Sequence, residues 1–238
     1  MLLKTVKGVN EMSVSKYLRI IPKDTAGVYN FAWLVKKKLK IDRKEFVSKI
    51  IKTEKPLSIL EVGARSGILA TRMLNECQKL GIKTKYVGVD LFAEMATMEN
   101  LTAEVSQWPE QQESLLKLLQ GTFPTLEIVL IGGFSQDTLP NIKDIKFDLI
   151  IIDGGHSYET VLSDWSNCEK LINVNGSIIF DDYTDIEGEE KGGIGVRKVI
   201  ENNVDMKIWE IKSMSTVDTF KHEWGVLRTR MVQVKSRV

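Results

Sequence analysis

Two short apolar runs, Phe147–Ile152 and Ser177–Phe180, lack the polar alternation of a half-exposed strand. They predict central strands of a parallel sheet, covered on both faces. Leu57–Val62, Lys85–Val89 and Leu126–Ile131 are runs of the same kind. Between them the period changes to that of helices. Ile68–Leu80 places Leu69, Met73, Leu74 and Cys77 on one face, and further helices are predicted around Gln111–Leu119, from Asp137 toward Ile145, and at Val196–Asn203. Lys207–Ile211 and Gly225–Val234 follow as two more strands, the last alternating as an antiparallel hairpin partner does. Seven strands with interleaved helices predict an α/β fold.

The flanking segments carry weaker patterns. Residues 1–56 predict a helical extension, a cap or oligomerisation element, ahead of a main domain at 57–238. Gly27–Lys40 has a stripe of Val28, Phe31, Leu34 and Val35, and Arg43–Lys52 continues with Phe46, Val47, Ile50 and Ile51. Lysines crowd here (Lys36, Lys37, Lys38, Lys40, Lys44, Lys49, Lys52), as on a solvated helix face or a patch for an anionic partner. Lys55-Pro56 punctuates the boundary. Leu91–Gly121, with Met95, Met98 and Trp108-Pro109, is longer than a simple crossover and suits a lid. Thr184–Gly193 is acidic and glycine-bearing, and predicts a mobile loop.

Composition narrows the picture. A chain of 238 residues, 43% apolar, is enough for one large domain with its own core. A net charge of +1 gives no push toward nucleic acid or a membrane surface. Cys77 and Cys168 both fall in predicted helices among apolar neighbours, and read as buried free thiols in a reducing compartment. The first residues lack a signal-type apolar region, and no apolar run is long enough to span a bilayer. The expected location is the cytoplasm.

The candidate chemistry lies at strand ends. Parallel strands joined by right-handed crossovers bring their C-termini to one edge, where open α/β sheets bind ligands. After the first strand comes Gly63-Ala64-Arg65-Ser66-Gly67, preceded by Glu61. Glycine lets the backbone approach a ligand, and the following helix offers unpaired N–H groups. The spacing is G-x-x-x-G, whereas a dinucleotide fingerprint has G-x-G-x-x-G. Asp90 ends the second strand, where a carboxylate can accept from both hydroxyls of a ribose. Ser135 and Gln136 follow the third strand, placed to read an adenine ring or, for Ser135, to cap a helix. Asp153, Asp181 and Asp182 converge at the ends of the two central runs, with His156 beside them. Crowded carboxylates repel unless a cation or protons neutralise them, and oxygen ligands suit a hard divalent ion such as Mg²⁺. His222 lies far from any motif and reads as structural.

These pieces, in this order, resemble a known family. Glu61-Val62-Gly63-Ala64-Arg65-Ser66-Gly67, Asp90, Gly133-Phe134-Ser135-Gln136-Asp137, Asp153-Gly154-Gly155-His156-Ser157-Tyr158 and Asp181-Asp182-Tyr183 look like a class I S-adenosylmethionine (SAM)-dependent methyltransferase. Within it the chain resembles the metal-dependent O-methyltransferases, of the catechol type and the bacterial sugar and antibiotic branch. The resemblance, over roughly residues 57–234, implies a Rossmann-like seven-stranded, mostly parallel sheet with helices on both faces and a C-terminal antiparallel hairpin strand. It implies that Glu61, Gly63, Ala64, Arg65, Ser66 and Gly67 hold the methionine part of SAM. Asp90 with Leu91 would hold the ribose, and Ser135 and Gln136 the adenine, with Asp153 also in the cofactor-binding set. It implies that Asp153, Asp181 and Asp182 bind Mg²⁺ or another divalent cation. Asp182 stands where the catechol type has Asn, and His156 where a lysine base is found nearby, so His156 becomes the candidate base. Histidine, whose free side chain titrates at about 6.5, suits that role. The acceptor would be a small-molecule or sugar hydroxyl, without nucleic acid, and the chain is a candidate homo-oligomer. A nicotinamide-dependent oxidoreductase, a metal-dependent glycosyltransferase and a non-catalytic SAM-binding scaffold stay open as alternatives.

Overall fold

Along the central strands, successive side chains point to opposite faces of the sheet, and both faces are buried. The computed structural model describes residues 41–95, 111–215, 217–222 and 225–237. Its strands are β1 (Ser58–Val62), β2 (Lys85–Asp90), β3 (Glu127–Gly132), β4 (Phe147–Ile152), β5 (Ile172–Thr184), β6 (Trp209–Ser213), β7 (Asp218–His222) and β8 (Gly225–Ser236). Its helices are α1 (Ile41–Glu54), α2 (Ile68–Lys79), α3 (Phe92–Met95), α4 (Gln112–Thr122), α5 (Ser135–Thr138), α6 (Tyr158–Leu171), α7 (Ile186–Gly192) and α8 (Val196–Asn203).

Among the described residues the sheet has eight strands in the order β3-β2-β1-β4-β5-β8-β6, with β7 paired to β8. Strands β1 to β5 run parallel, and β8 is antiparallel to β5, β6 and β7. Ile59, Leu149, Ile151 and Ile179 face a core completed by Met73, Leu74 and Leu119. Leu60, Ile150, Ile152, Ile178 and Phe180 face the other, completed by Trp165, Val199 and Trp209. This two-faced burial explains why the strands read as unbroken apolar runs. Trp165 lies 5.7 Å from Phe180 on β5 and 5.4 Å from Trp209 on β6 between ring centroids, fastening α6 to the sheet.

Four features depart from the expected outline. The predicted loop at Thr184–Gly193 is largely helix α7. Asp185 caps it, its side chain accepting from Gly188 N–H at 3.0 Å, and Gly193 closes it in a left-handed conformation at φ 67°. The sheet has an eighth strand, β7, in a segment with no apolar run. The helix predicted toward Ile145 ends earlier: α5 is followed only by a 3₁₀ turn, Leu139–Asn141. Finally, α1 is built into the same compact unit as the sheet, residues 42–238. Its Val47, Ile50 and Ile51 are core residues. Its last residue, Glu54, accepts from Ser177 Oγ (3.0 Å), Gln233 Nε2 (2.9 Å) and Lys235 Nζ (2.7 Å) on β5 and β8.

Cys77 and Cys168 are free and buried, as expected, and burial pushes both thiols above their usual range. Among the described residues no helix is long and apolar enough to cross a membrane. The stripe and lysines of Gly27–Lys40, the Met98 and Trp108-Pro109 part of the expected lid, and the side chain of His222 lie outside the described residues.

Candidate functional site

The site forms at the C-terminal ends of β1, β2, β4 and β5. From β1 the chain enters the glycine turn, pinned when Gly63 N–H donates to Val89 O at 2.8 Å. Gly63 has φ +91°, and a Cβ there would lie 2.1 Å from the carbonyl oxygen of Asp153. Only glycine lets the turn lie directly on the end of β4. Gly67, at φ +67°, starts α2 and leaves the helix N-terminus next to the turn.

Asp90 faces this turn. Its Oδ2 accepts from Arg65 N–H at 2.7 Å and its Oδ1 from Phe92 N–H at 3.3 Å, so the carboxylate braces the loop. Leu91 is buried beside it, Ala64 is buried, Ser66 is half-buried and Arg65 is exposed. Glu61 sits deeper. It is 1% exposed and accepts from Tyr86 Oη at 2.5 Å. Burial first, and then the Glu61 charge, hold the Tyr86 phenol well above its usual range, so it stays a proton donor. Ser135 is half-buried and Gln136 exposed on the first turn of α5. The N-cap of that helix is Phe134, with no side-chain capping bond, so Ser135 does not act as its cap.

Among the described residues, Asp153, His156 and Asp182 form a cluster whose donor atoms lie within 4.8 Å of one another. His156 Nε2 is 3.2 Å from Asp182 Oδ2, yet it is buried and makes no hydrogen bond among the described residues. Two carboxylates and an imidazole nitrogen directed at one point fit a divalent cation or a polar substrate group between them. The loop bearing His156 is held through its backbone. Gly195 N–H donates to the His156 carbonyl at 2.7 Å, and Ser157 caps α6, accepting from Thr160 N–H at 3.3 Å.

Asp181 stands apart from this cluster. The β5–β8 register shifts between Phe180 and Tyr183, and Asp182 takes φ +55°. A bulge of this kind breaks the alternation of side chains and re-aims them. Asp181, 5% exposed, pairs with the guanidinium of Arg43, itself 3% exposed. Arg43 Nη1 also lies 2.9 Å from Asp182 Oδ1, while Arg43 Nε pairs with Asp218 and Nη2 donates to Thr229 Oγ1. Arg43, Tyr86, Asp218 and Thr229 were not legible as site residues. Arg43 is 138 positions from Asp181 and belongs to no local motif.

Comparison with known proteins follows the same elements. A family model described as a methyltransferase domain matches residues 60–183, from β1 through the cluster. Uncharacterized protein R132 of Acanthamoeba polyphaga mimivirus is 41% identical over 64 residues, a match spanning 27% of this chain and 27% of that protein. Among solved structures, the SAH-bound methyltransferase PaMTH1 of Podospora anserina aligns with a TM-score of 0.58 at 14% identity, covering 99% of this chain and 100% of its own. An O-methyltransferase from Bacillus cereus in complex with SAH aligns at TM-score 0.55 and 12% identity, covering 98% and 94%. The O-methyltransferase TomG from Streptomyces achromogenes, involved in tomaymycin synthesis, aligns at 0.53 and 15%, covering 81% and 79%. At these identities the likeness is one of fold.

Proposed function

Since this chain belongs to the methyltransferase-domain family matched by its residues 60–183, we propose that it is a SAM-dependent O-methyltransferase that uses a divalent cation and acts on a hydroxyl of a small molecule or sugar. The observation that carries this reading is the Asp153–His156–Asp182 cluster, set at the same sheet edge as the glycine turn and meeting it where Gly63 lies against Asp153. When bound, SAM supplies a methyl group on a sulfonium and a divalent cation supplies Lewis acidity toward a hydroxyl oxygen. The remaining work falls to the chain. Gly63 to Gly67 receive the amino-acid end of the cofactor by close backbone approach, since the N–H groups of Gly63, Ala64, Arg65 and Gly67 already donate within the protein. Asp90 accepts from the ribose hydroxyls, and Ser135 and Gln136 flank the adenine. Asp153 and Asp182 hold the cation, and His156 takes the acceptor proton at Nε2. The cap or oligomerisation role of residues 1–56, and cytoplasmic location, are part of the same proposal. The acceptor hydroxyl is supported by the O-methyltransferases among the structural neighbours.

Calorimetry with S-adenosylhomocysteine (SAH), with and without Mg²⁺ and with NADH as control, tests the cofactor site. SAH is expected to bind in both conditions and NADH in neither. Preference for NADH, or no SAH binding, overturns the reading. Asp90→Asn keeps an oxygen for Arg65 N–H but removes the charge. Hydrogen bonds to a charged group contribute about 1.5–3 kcal/mol, so SAH affinity should fall by ~10- to 100-fold. Unchanged affinity would take Asp90 out of the ribose site.

A further inference from the structure

We propose that Arg43 is a positioning residue of the cation cluster, drawing Asp181 out of it and fixing Asp182 so that Oδ2 faces His156. The inference rests on the divalent-cation reading above.

Three aspartates and a histidine at neighbouring strand ends do not by themselves choose which oxygens face a cation. The structure makes that choice through a buried guanidinium. Arg43 lies on α1 and reaches β5, β7 and β8 at once, through Asp181 and Asp182, Asp218, and Thr229. Its planar fork of donors constrains direction as well as charge, which a single ammonium cannot do. Asp181 Oδ1 receives Arg43 and also the backbone N–H of Asp182 at 2.8 Å. That second bond braces Asp182 in its left-handed conformation, an arrangement few non-glycine residues hold without support. Asp182 in turn divides its oxygens. Oδ1 lies 2.9 Å from Arg43 Nη1, and Oδ2 lies 3.2 Å from His156 Nε2. The resulting cluster contains Asp153, His156 and Asp182 without Asp181. Arg43 thus acts through two aspartates and need not touch cofactor or acceptor.

Mn²⁺ binding to the full chain, followed by loss of the free-ion EPR signal, tests this. Coulomb's law and positioning predict opposite signs. Removing a positive charge beside a cation site should tighten binding if charge alone matters. If Arg43 positions the ligands, Arg43→Gln should weaken Mn²⁺ by ~10- to 100-fold, the usual scale for losing a group that orients a metal ligand. SAH affinity should stay within about threefold, because Arg43 lies outside the cofactor turn. Arg43→Lys keeps the charge and loses the fork, so it guards against a Gln variant that fails to fold. It should also weaken Mn²⁺ by about tenfold. Mn²⁺ affinity equal to wild type, or tighter, in whichever variants still bind SAH overturns the assignment. A wild-type chain that binds SAH but no Mn²⁺ overturns the cation reading and this inference with it.

Discussion

Gly63→Ala is expected to destabilise the protein strongly and to abolish SAH binding. A Cβ at this position would sit 2.1 Å from the Asp153 carbonyl oxygen, 2.5 Å from its carbon and 2.8 Å from Gly154 N. All three are backbone atoms, so no side chain can swing aside. The φ of +91° adds a second penalty that any L side chain pays. Left-handed backbone costs about 1–2 kcal/mol and overpacking about 1–3, for a total of about 2–5 kcal/mol. Native stability is only about 5–15 kcal/mol, so the loss is a large fraction of it. The urea midpoint reads the stability, and calorimetry the cofactor. Gly121→Ala is the matched control. Nothing lies within 4 Å of its added Cβ, and Gly121 is in α4, so it should stabilise by about 0.5–1 kcal/mol. A Gly63→Ala protein with the wild-type midpoint and SAH affinity would mean that the turn does not lie on β4 as described.

The reason for the size of this effect is also the reason the candidate site could be outlined from the sequence. The parallel strands β1, β2, β4 and β5 declare themselves by runs that both cores demand, and the edge strand β3 by one whose Ile128 and Leu130 face a core while Val129 is exposed. Their C-terminal ends then fall where the runs stop, at Val62, Asp90, Gly132, Ile152 and beyond Phe180. Residues just past those ends must share one edge, because right-handed crossovers leave no other arrangement. Gly63, Asp90, Asp153 and Asp182 were therefore found from strand logic, and the structure places them around the same turn and cluster.

What escaped the sequence escaped for physical reasons. Asp181 and Asp182 are neighbours, and sequence logic treats them as a pair. A β-bulge and a buried cation separate their roles, and neither leaves a local mark. Arg43 looks like one more basic residue in a lysine-rich segment. Only the packing of α1 on the sheet, through Val47, Ile50 and Ile51, carries it to strand ends far along the chain. Helix α7 was hidden because its glycines read as breakers, while its stabilising features lie at its ends, in Asp185 and Gly193. Strand β7 is short, and its pairing with β8, Phe220 opposite Leu227, is a tertiary fact that no apolar run announces.

His156→Ala is expected to lower kcat by about 10²–10⁴, the range that a positioned general base contributes. The competing role for this residue is structural, at the start of α6. The structure separates the two roles by atom. The loop is held by the His156 carbonyl, which accepts from Gly195 N–H, and the helix is capped by Ser157, so alanine preserves both bonds. The ring does neither task. Its Nε2 is buried without a hydrogen bond among the described residues, 3.2 Å from Asp182 Oδ2. An acceptor identified by SAH release from a panel of hydroxylated small molecules allows the measurement. SAH affinity should hold within about threefold, since the ring lies outside the glycine turn. A variant with near-wild-type kcat would assign the proton transfer elsewhere. A variant with lost kcat and lost SAH affinity together would return His156 to the structural role, because a base removed cleanly leaves the cofactor site intact.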